Sequence, residues 1–149
     1  RKFLLEPPMP SSVTVMVQRE VADRILAQAG DMSALAVFVR TLGDASRVVN
    51  VPAGAFLPPP KVDSAVIHIV RKGDQALEDF FGGTSRDRYF SIVRTAFAGK
   101  RKQLKNSLQG LASSEKALNE AFLRSGIAPA RRPEELAVED WRALAAALN

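Results

Sequence analysis

Apolar residues follow two different rhythms along this chain, and the change of rhythm divides it. Val13-Thr14-Val15-Met16-Val17 is a short β-branched run after the breaker cluster Pro7-Pro8-Met9-Pro10-Ser11-Ser12, and it predicts a buried strand. Arg19 to Ala29 carries Val21, Ala22, Ile25 and Leu26 at helical spacing and stops at Gly30. Ser33 is placed to cap a second helix, Ala34 to Leu42, whose apolar stripe is Leu35, Phe38, Val39 and Leu42, with Gly43 beyond it. Ser46 to Pro52 and Val62 to Arg71 predict two further strands. From Ser85 onward the spacing is helical throughout. Phe90, Val93 and Phe97 precede Gly99, and Leu104, Leu108 and Leu111 share the next segment. Leu118, Ala121 and Phe122 lie between Ser114 and Gly126, and Trp141, Leu144 and Leu148 mark a last helix over Val138 to Leu148. Leu104, Leu108, Tyr89 and Trp141 are expected in the helical core. The glycine-rich stretch from Lys72 to Thr84 reads as a joint.

These elements give an α/β segment followed by an all-α segment. Units at 1–71 and 85–149 with a linker at 72–84 are the expected organisation. Three strands and two helices make only part of a sheet that would need partners on both faces. A chain opening on Arg1-Lys2-Phe3-Leu4-Leu5, a piece of amphipathic helix with no initiator methionine, reads as part of a larger protein.

One loop stands out. Phe56-Leu57-Pro58-Pro59-Pro60-Lys61 joins the second and third strands, and each proline fixes φ near −65° and removes a backbone donor. Phe56 therefore sits on a nearly preset scaffold. Either it packs into the core at a proline-capped strand entry, or the loop presents a flat ring to a flat substrate.

Charge sharpens the picture more than composition does. The 149 residues are 46% apolar, enough for a real core, and carry a formal net charge of +5. The excess is concentrated between positions 86 and 105, where Arg86, Arg88, Arg94, Lys100, Arg101, Lys102 and Lys105 are opposed only by Asp87. A polyanion is the natural partner of such a patch. With no cysteine and one histidine, His68, neither a disulfide framework nor a thiolate metal site can form. No apolar run approaches the roughly 20 residues that cross a bilayer, and no signal-peptide stretch opens the chain. A cytoplasmic protein that binds neither membrane nor metal is expected.

Catalytic chemistry is hard to find. Gly82-Gly83 opens no phosphate-binding loop after a strand, and the adjacent pairs Glu78-Asp79 and Glu134-Glu135 read as solvated faces. Ser64 and His68 lie on one side of a strand, but no acid completes a triad, and His68 reads as a packed strand residue.

Three segments match one family in order and context: Val17 to Arg24, Pro52 to Val66 with its Pro58-Pro59-Pro60-Lys61-Val62-Asp63-Ser64 core, and Arg101 to Leu108. Arg132-Pro133-Glu134-Glu135-Leu136 closes the match. The chain resembles the ribosomal RNA adenine N6,N6-dimethyltransferases, most closely the bacterial small-subunit members, almost end to end. The resemblance implies a Rossmann-like methyltransferase domain that binds S-adenosylmethionine, followed by a small helical domain that helps grip RNA. This chain matches the carboxy-terminal portion: the last strands and helices of the sheet, then the helical domain. It implies that the glycine-rich cofactor loop and the Asn-Leu-Pro-Tyr catalytic loop lie upstream, so that no catalytic and no cofactor-binding residue falls in this chain and the fragment alone is inactive.

Phe56, supported by Pro58, Pro59 and Pro60, then corresponds to a phenylalanine that stacks on the flipped target adenine. Arg94, Lys100, Arg101, Lys102 and Lys105 become candidates for rRNA phosphate contact, with Arg101 and Lys102 expected at a helix start whose free donors also favour phosphate. The implied partner is small-subunit rRNA or the pre-ribosomal small subunit, met by a monomeric full-length enzyme. A non-catalytic rRNA-binding or ribosome-assembly module on the same scaffold is the alternative, and a protein-binding helical domain is a third.

Overall fold

The computed structural model describes residues 4, 9–99 and 101–148. The expected helix at the start of the chain, apart from Leu4, and the side chain of Lys100 lie outside the described residues. Strand β1 (Ser12–Gln18) leads through α1 (Arg19–Leu26) and α2 (Ala34–Leu42) to β2 (Gly43–Val51). A loop with a 3-10 turn at Ala53–Ala55 then leads into β3 (Ser64–Arg71). The helices α3 (Asp74–Phe81), α4 (Arg86–Ala98), α5 (Leu104–Ser107), α6 (Glu115–Ser125) and α7 (Val138–Ala147) complete the described chain. The sheet order is β1-β3-β2, with β3 antiparallel to both neighbours. The mixed α/β start and the helical remainder agree with the expectation from periodicity.

Alternation fixes the buried face of the sheet. Ala65, Ile67 and Ile69 of β3 are buried, with Val15, Val17 and Ala45 of the flanking strands packed beside them. The intervening positions are more open, and Thr14, paired opposite His68, meets its Nδ1 at 2.8 Å. His68 is thus a half-buried strand residue with a cross-strand partner. Val48, at the register shift between Arg47 and Val49, turns outward.

Several boundaries moved for physical reasons. Strand β2 starts at Gly43 rather than Ser46, because Gly43 both ends α2 and pairs with Arg71. Only a missing side chain allows that approach: a Cβ there would lie 2.6 Å from the Val70 carbonyl oxygen. Helix α1 stops at Leu26, short of Ala29, because the chain turns away to place the N–H groups of Gly30 and Met32 on the Glu134 carbonyl at 2.9 and 3.1 Å. Gly30 makes this turn at φ 106°, where a side chain would be strained. The Arg132 to Leu136 segment, whose 3-10 turn spans Pro133–Glu135, therefore docks the helical part onto the α/β part.

The segment 72–84 is not a featureless joint. It folds as α3, capped by Gly82 at φ 52°, and buries Leu77 and Phe81. Buried side chains from both sides of it join one cluster. Phe38 of α2 meets Phe90 of α4 with ring centroids 4.9 Å apart, and Thr41 Oγ1 lies 3.0 Å from the Tyr89 hydroxyl. Since Thr41 donates to the Val37 carbonyl at 2.7 Å, Tyr89 donates to Thr41. Helix α2 consequently buries Ala36, Val37 and Thr41 besides Val39 and Leu42, while Leu35 remains partly exposed. Tyr89, Leu104, Leu108 and Trp141 are all buried as expected.

Candidate nucleic-acid interface

Phe56 owes its position to the loop around it. Pro52 leads into the Ala53–Ala55 turn, in which the N–H groups of Ala55 and Phe56 donate to the carbonyls of Pro52 and Ala53 at 3.0 and 3.2 Å. Leu57 then stands 98% exposed ahead of a cis peptide bond to Pro58. At the base, Asp63 Oδ1 accepts the Ala53 N–H at 3.0 Å. The Asp63 carbonyl accepts the Arg19 N–H at 3.0 Å, one position beyond the last β1–β3 pair of Gln18 and Ser64, and β3 begins at Ser64 and not at Val62.

Phe56 differs in its packing from the other described phenylalanines. Phe81, Phe90 and Phe122 lie in the core, and Phe38, Phe80 and Phe97 are packed against it. Phe56 belongs to neither group and makes no aromatic pair among the described residues. Its ring is half-buried, and the hydrogen bonds of the Ala53–Ala55 turn and Asp63 fix the backbone that carries it. Beside the loop base, Gln18, Arg19, Glu20, Asp23, Lys61 and Val62 line a groove of about 420 Å³.

The basic run resolves into two kinds of cation. Arg88 is half-buried, and its Nη2 donates to the Leu111 carbonyl at 3.0 Å and the Leu148 carbonyl at 3.2 Å. Arg86 lies over the Phe81 ring, 5.7 Å from its centroid. Both serve the fold. Arg94, Arg101, Lys102 and Lys105 are exposed, and none takes part in a side-chain hydrogen bond or ion pair among the described residues. Arg94 also rims an apolar groove of about 420 Å³ formed by Val13, Val15, Leu35, Phe38 and Phe90.

The expectation of free helix-start donors at Arg101 and Lys102 is corrected. Helix α5 begins at Leu104 and has four residues, not a stripe running to Leu111. Its first donors are already used: Leu104 N–H bonds the Arg131 carbonyl at 2.9 Å and Lys105 N–H the Pro129 carbonyl at 3.1 Å. Arg101 and Lys102 sit in the preceding turn, where Lys102 N–H bonds the Gly99 carbonyl at 2.6 Å. Their side chains, not a helix terminus, carry whatever positive field this turn presents. Asp63 and Arg19 are the residues that sequence reasoning passed over, although both lie inside matching segments. Their pairing across 44 positions becomes visible only once β1 and β3 are side by side.

A family model described as ribosomal RNA adenine dimethylase matches residues 2–149. Ribosomal RNA small subunit methyltransferase A of Dehalococcoides mccartyi (strain CBDB1) is 43% identical over 145 residues, covering 97% of this chain and 48% of that protein. The protein of the same description from Ruegeria sp. (strain TM1040) is 40% identical over 146 residues, covering 96% and 49%. The chain thus spans about half the length of the curated relatives it matches. Among solved structures, a dimethyladenosine transferase from Plasmodium falciparum superimposes with a TM-score of 0.79 at 24% identity, over 96% of this chain and 59% of that one, a likeness of fold alone. The 23S rRNA methyltransferase ErmE gives a TM-score of 0.70 at 28% identity, over 97% and 57%.

Proposed function

This chain belongs to the ribosomal RNA adenine dimethylase family, and on that premise we propose that it is the carboxy-terminal part of an enzyme that methylates N6 of adenines in small-subunit rRNA. The sheet is the last part of a Rossmann-like methyltransferase domain at 1–71, and residues 85–149 form the RNA-gripping helical unit. The edge of β1, unpaired among the described residues, and the apolar groove beside it support that reading, since both offer room for neighbouring elements. S-adenosylmethionine binds residues upstream of this chain and supplies the methyl group.

The chemistry defines what Phe56 contributes. The adenine N6 lone pair is delocalised into the ring, so the base must leave the stack and be held with N6 aimed at the methyl donor. Phe56 forms one wall of that pocket by stacking, without taking part in proton transfer. Arg94, Arg101, Lys102 and Lys105, together with Lys100, contact rRNA phosphates and set affinity rather than sequence choice. Isolated from the rest of the enzyme, this chain transfers no methyl groups, and turnover by it alone would overturn that claim.

The observation that carries the proposal is Phe56 itself: a phenylalanine outside the core, on a loop fixed by prolines and by Asp63. Base–aromatic stacking contributes about 1 to 3 kcal/mol. Phe56→Ala in the full-length enzyme is therefore expected to slow methyl transfer roughly 5- to 150-fold, with unfolding unchanged. Wild-type turnover of that variant would remove the stacking role.

A further inference from the structure

Asp63 closes the base of the Phe56 loop in a way the prolines cannot. Pro52, Pro58, Pro59 and Pro60 have no N–H, so they stiffen the segment without tying its ends together. Asp63 Oδ1 accepts the Ala53 N–H at 3.0 Å from ten residues further along the chain. The Ala53 carbonyl in turn accepts the Phe56 N–H at 3.2 Å. A continuous path of one side-chain and one backbone hydrogen bond thus runs from Asp63 to the aromatic residue. The far side of Asp63 is anchored as well, because its carbonyl accepts the Arg19 N–H at the start of α1.

We propose that Asp63 is a positioning residue: its Oδ1 bond to Ala53 holds the 3-10 turn that sets the plane of the Phe56 ring against the target adenine. This rests on the stacking role of Phe56 proposed above. The acceptor, not the charge, does the positioning. The Arg19–Asp63 ion pair is 3.7 Å long between side chains 57% and 45% exposed, and pairs of that kind contribute little. The Ala53 bond is shorter, partly buried and made to backbone. A ring displaced by about 1 Å would still bind RNA through phosphate contacts, while N6 would lose its line to the methyl donor.

The test uses the full-length enzyme, with kcat, the KM for RNA, S-adenosylmethionine affinity and thermal unfolding measured separately. D63A is expected to lower kcat about tenfold while donor affinity and the KM for RNA stay near wild type. D63N keeps an acceptor at the Oδ1 position and should recover most of that loss. D63E keeps the charge but carries its oxygens one methylene further, and should remain as slow as D63A. It also serves as the test if D63A does not accumulate as folded protein. In F56A/D63E the two effects should not multiply, because Asp63 acts through the ring. Wild-type kcat in D63E, a D63N variant as slow as D63E, or losses that multiply in the double variant would each overturn the proposal. A fully active F56A would instead sink the stacking role beneath it, so the two failures are distinguishable.

Discussion

Arg88 and Lys102 belong to the same cationic run, yet replacing them should have opposite consequences. Arg88 Nη2 serves two carbonyls, that of Leu111 at 3.0 Å and that of Leu148 at 3.2 Å, the second just past the end of α7. Arg88→Ala leaves both carbonyls short of a donor. A hydrogen bond from a charged donor is worth about 1.5 to 3 kcal/mol. One nitrogen shared between two acceptors makes less than two full bonds, so the expected loss is about 2 kcal/mol. Lys102 is exposed and makes no side-chain bond among the described residues, so Lys102→Ala should change stability by less than about 0.5 kcal/mol. Trp141, the sole tryptophan, is fully buried near Phe97 and reports unfolding by fluorescence. With a urea slope of about 2 kcal/mol/M, the Arg88→Ala midpoint should fall by about 1 M and that of Lys102→Ala should stay in place. RNA affinity measured against salt should show the reverse. Lys102→Ala lowers the log–log slope by about 0.7 to 0.9, and Arg88→Ala leaves it unchanged. If Arg88→Ala flattens the salt dependence as Lys102→Ala does and unfolds like the wild type, the division of this run into internal and RNA-facing cations is wrong.

Tyr89 and Gly43 offer further checks. Burial pushes the Tyr89 phenol well above its usual pKa near 10. Below pH 10 both folded and unfolded chains hold the phenol proton and its contribution is fully present. Above that the unfolded chain ionises first, so stability falls as pH rises toward the folded pKa. As the only tyrosine, its ultraviolet titration should begin clearly later in the folded chain than after denaturation, and coincident curves would contradict its burial. Gly43→Ala places a Cβ 2.6 Å from the Val70 carbonyl oxygen and 3.0 Å from Ile69 Cγ2. Backbone on a paired strand cannot give way, so urea unfolding should show about 1 to 3 kcal/mol of destabilisation, and an unchanged midpoint would refute the close approach.

Elements with local signals were legible, and their caps show why. Ser33 and Ser114 accept the N–H groups of Ala36 and Ala117 at 3.0 and 3.1 Å, while Gly126 ends α6 at φ 70°. These are contacts between residues three or four apart, which a sequence displays directly. Helix α3 was missed because Gly73, Gly82 and Gly83 flank only eight helical residues, and the burial of Leu77 and Phe81 depends on a core built elsewhere. The stripe from Leu104 to Leu111 misled for the opposite reason. Its apolar spacing is helical, but hydrogen bonds to the Pro129 and Arg131 carbonyls tie the start of α5 to a distant loop, and a 3-10 turn at Gln109–Leu111 follows the four-residue helix.

The sequence by itself determined the periodicities, the proline scaffold under Phe56, the concentration of positive charge and the matching segments that carry the family resemblance. All of these are properties of neighbouring residues. Tertiary structure decided which of the six described cations of that run have no side-chain partner among the described residues, that Phe56 stays outside a core to which every other described phenylalanine contributes, and that Asp63 ties the loop closed. Those outcomes depend on partners 10 to 60 positions away: Ala53 for Asp63, and Leu148 for Arg88. Spacing along the chain cannot specify such contacts until the sheet has paired and the helices have packed.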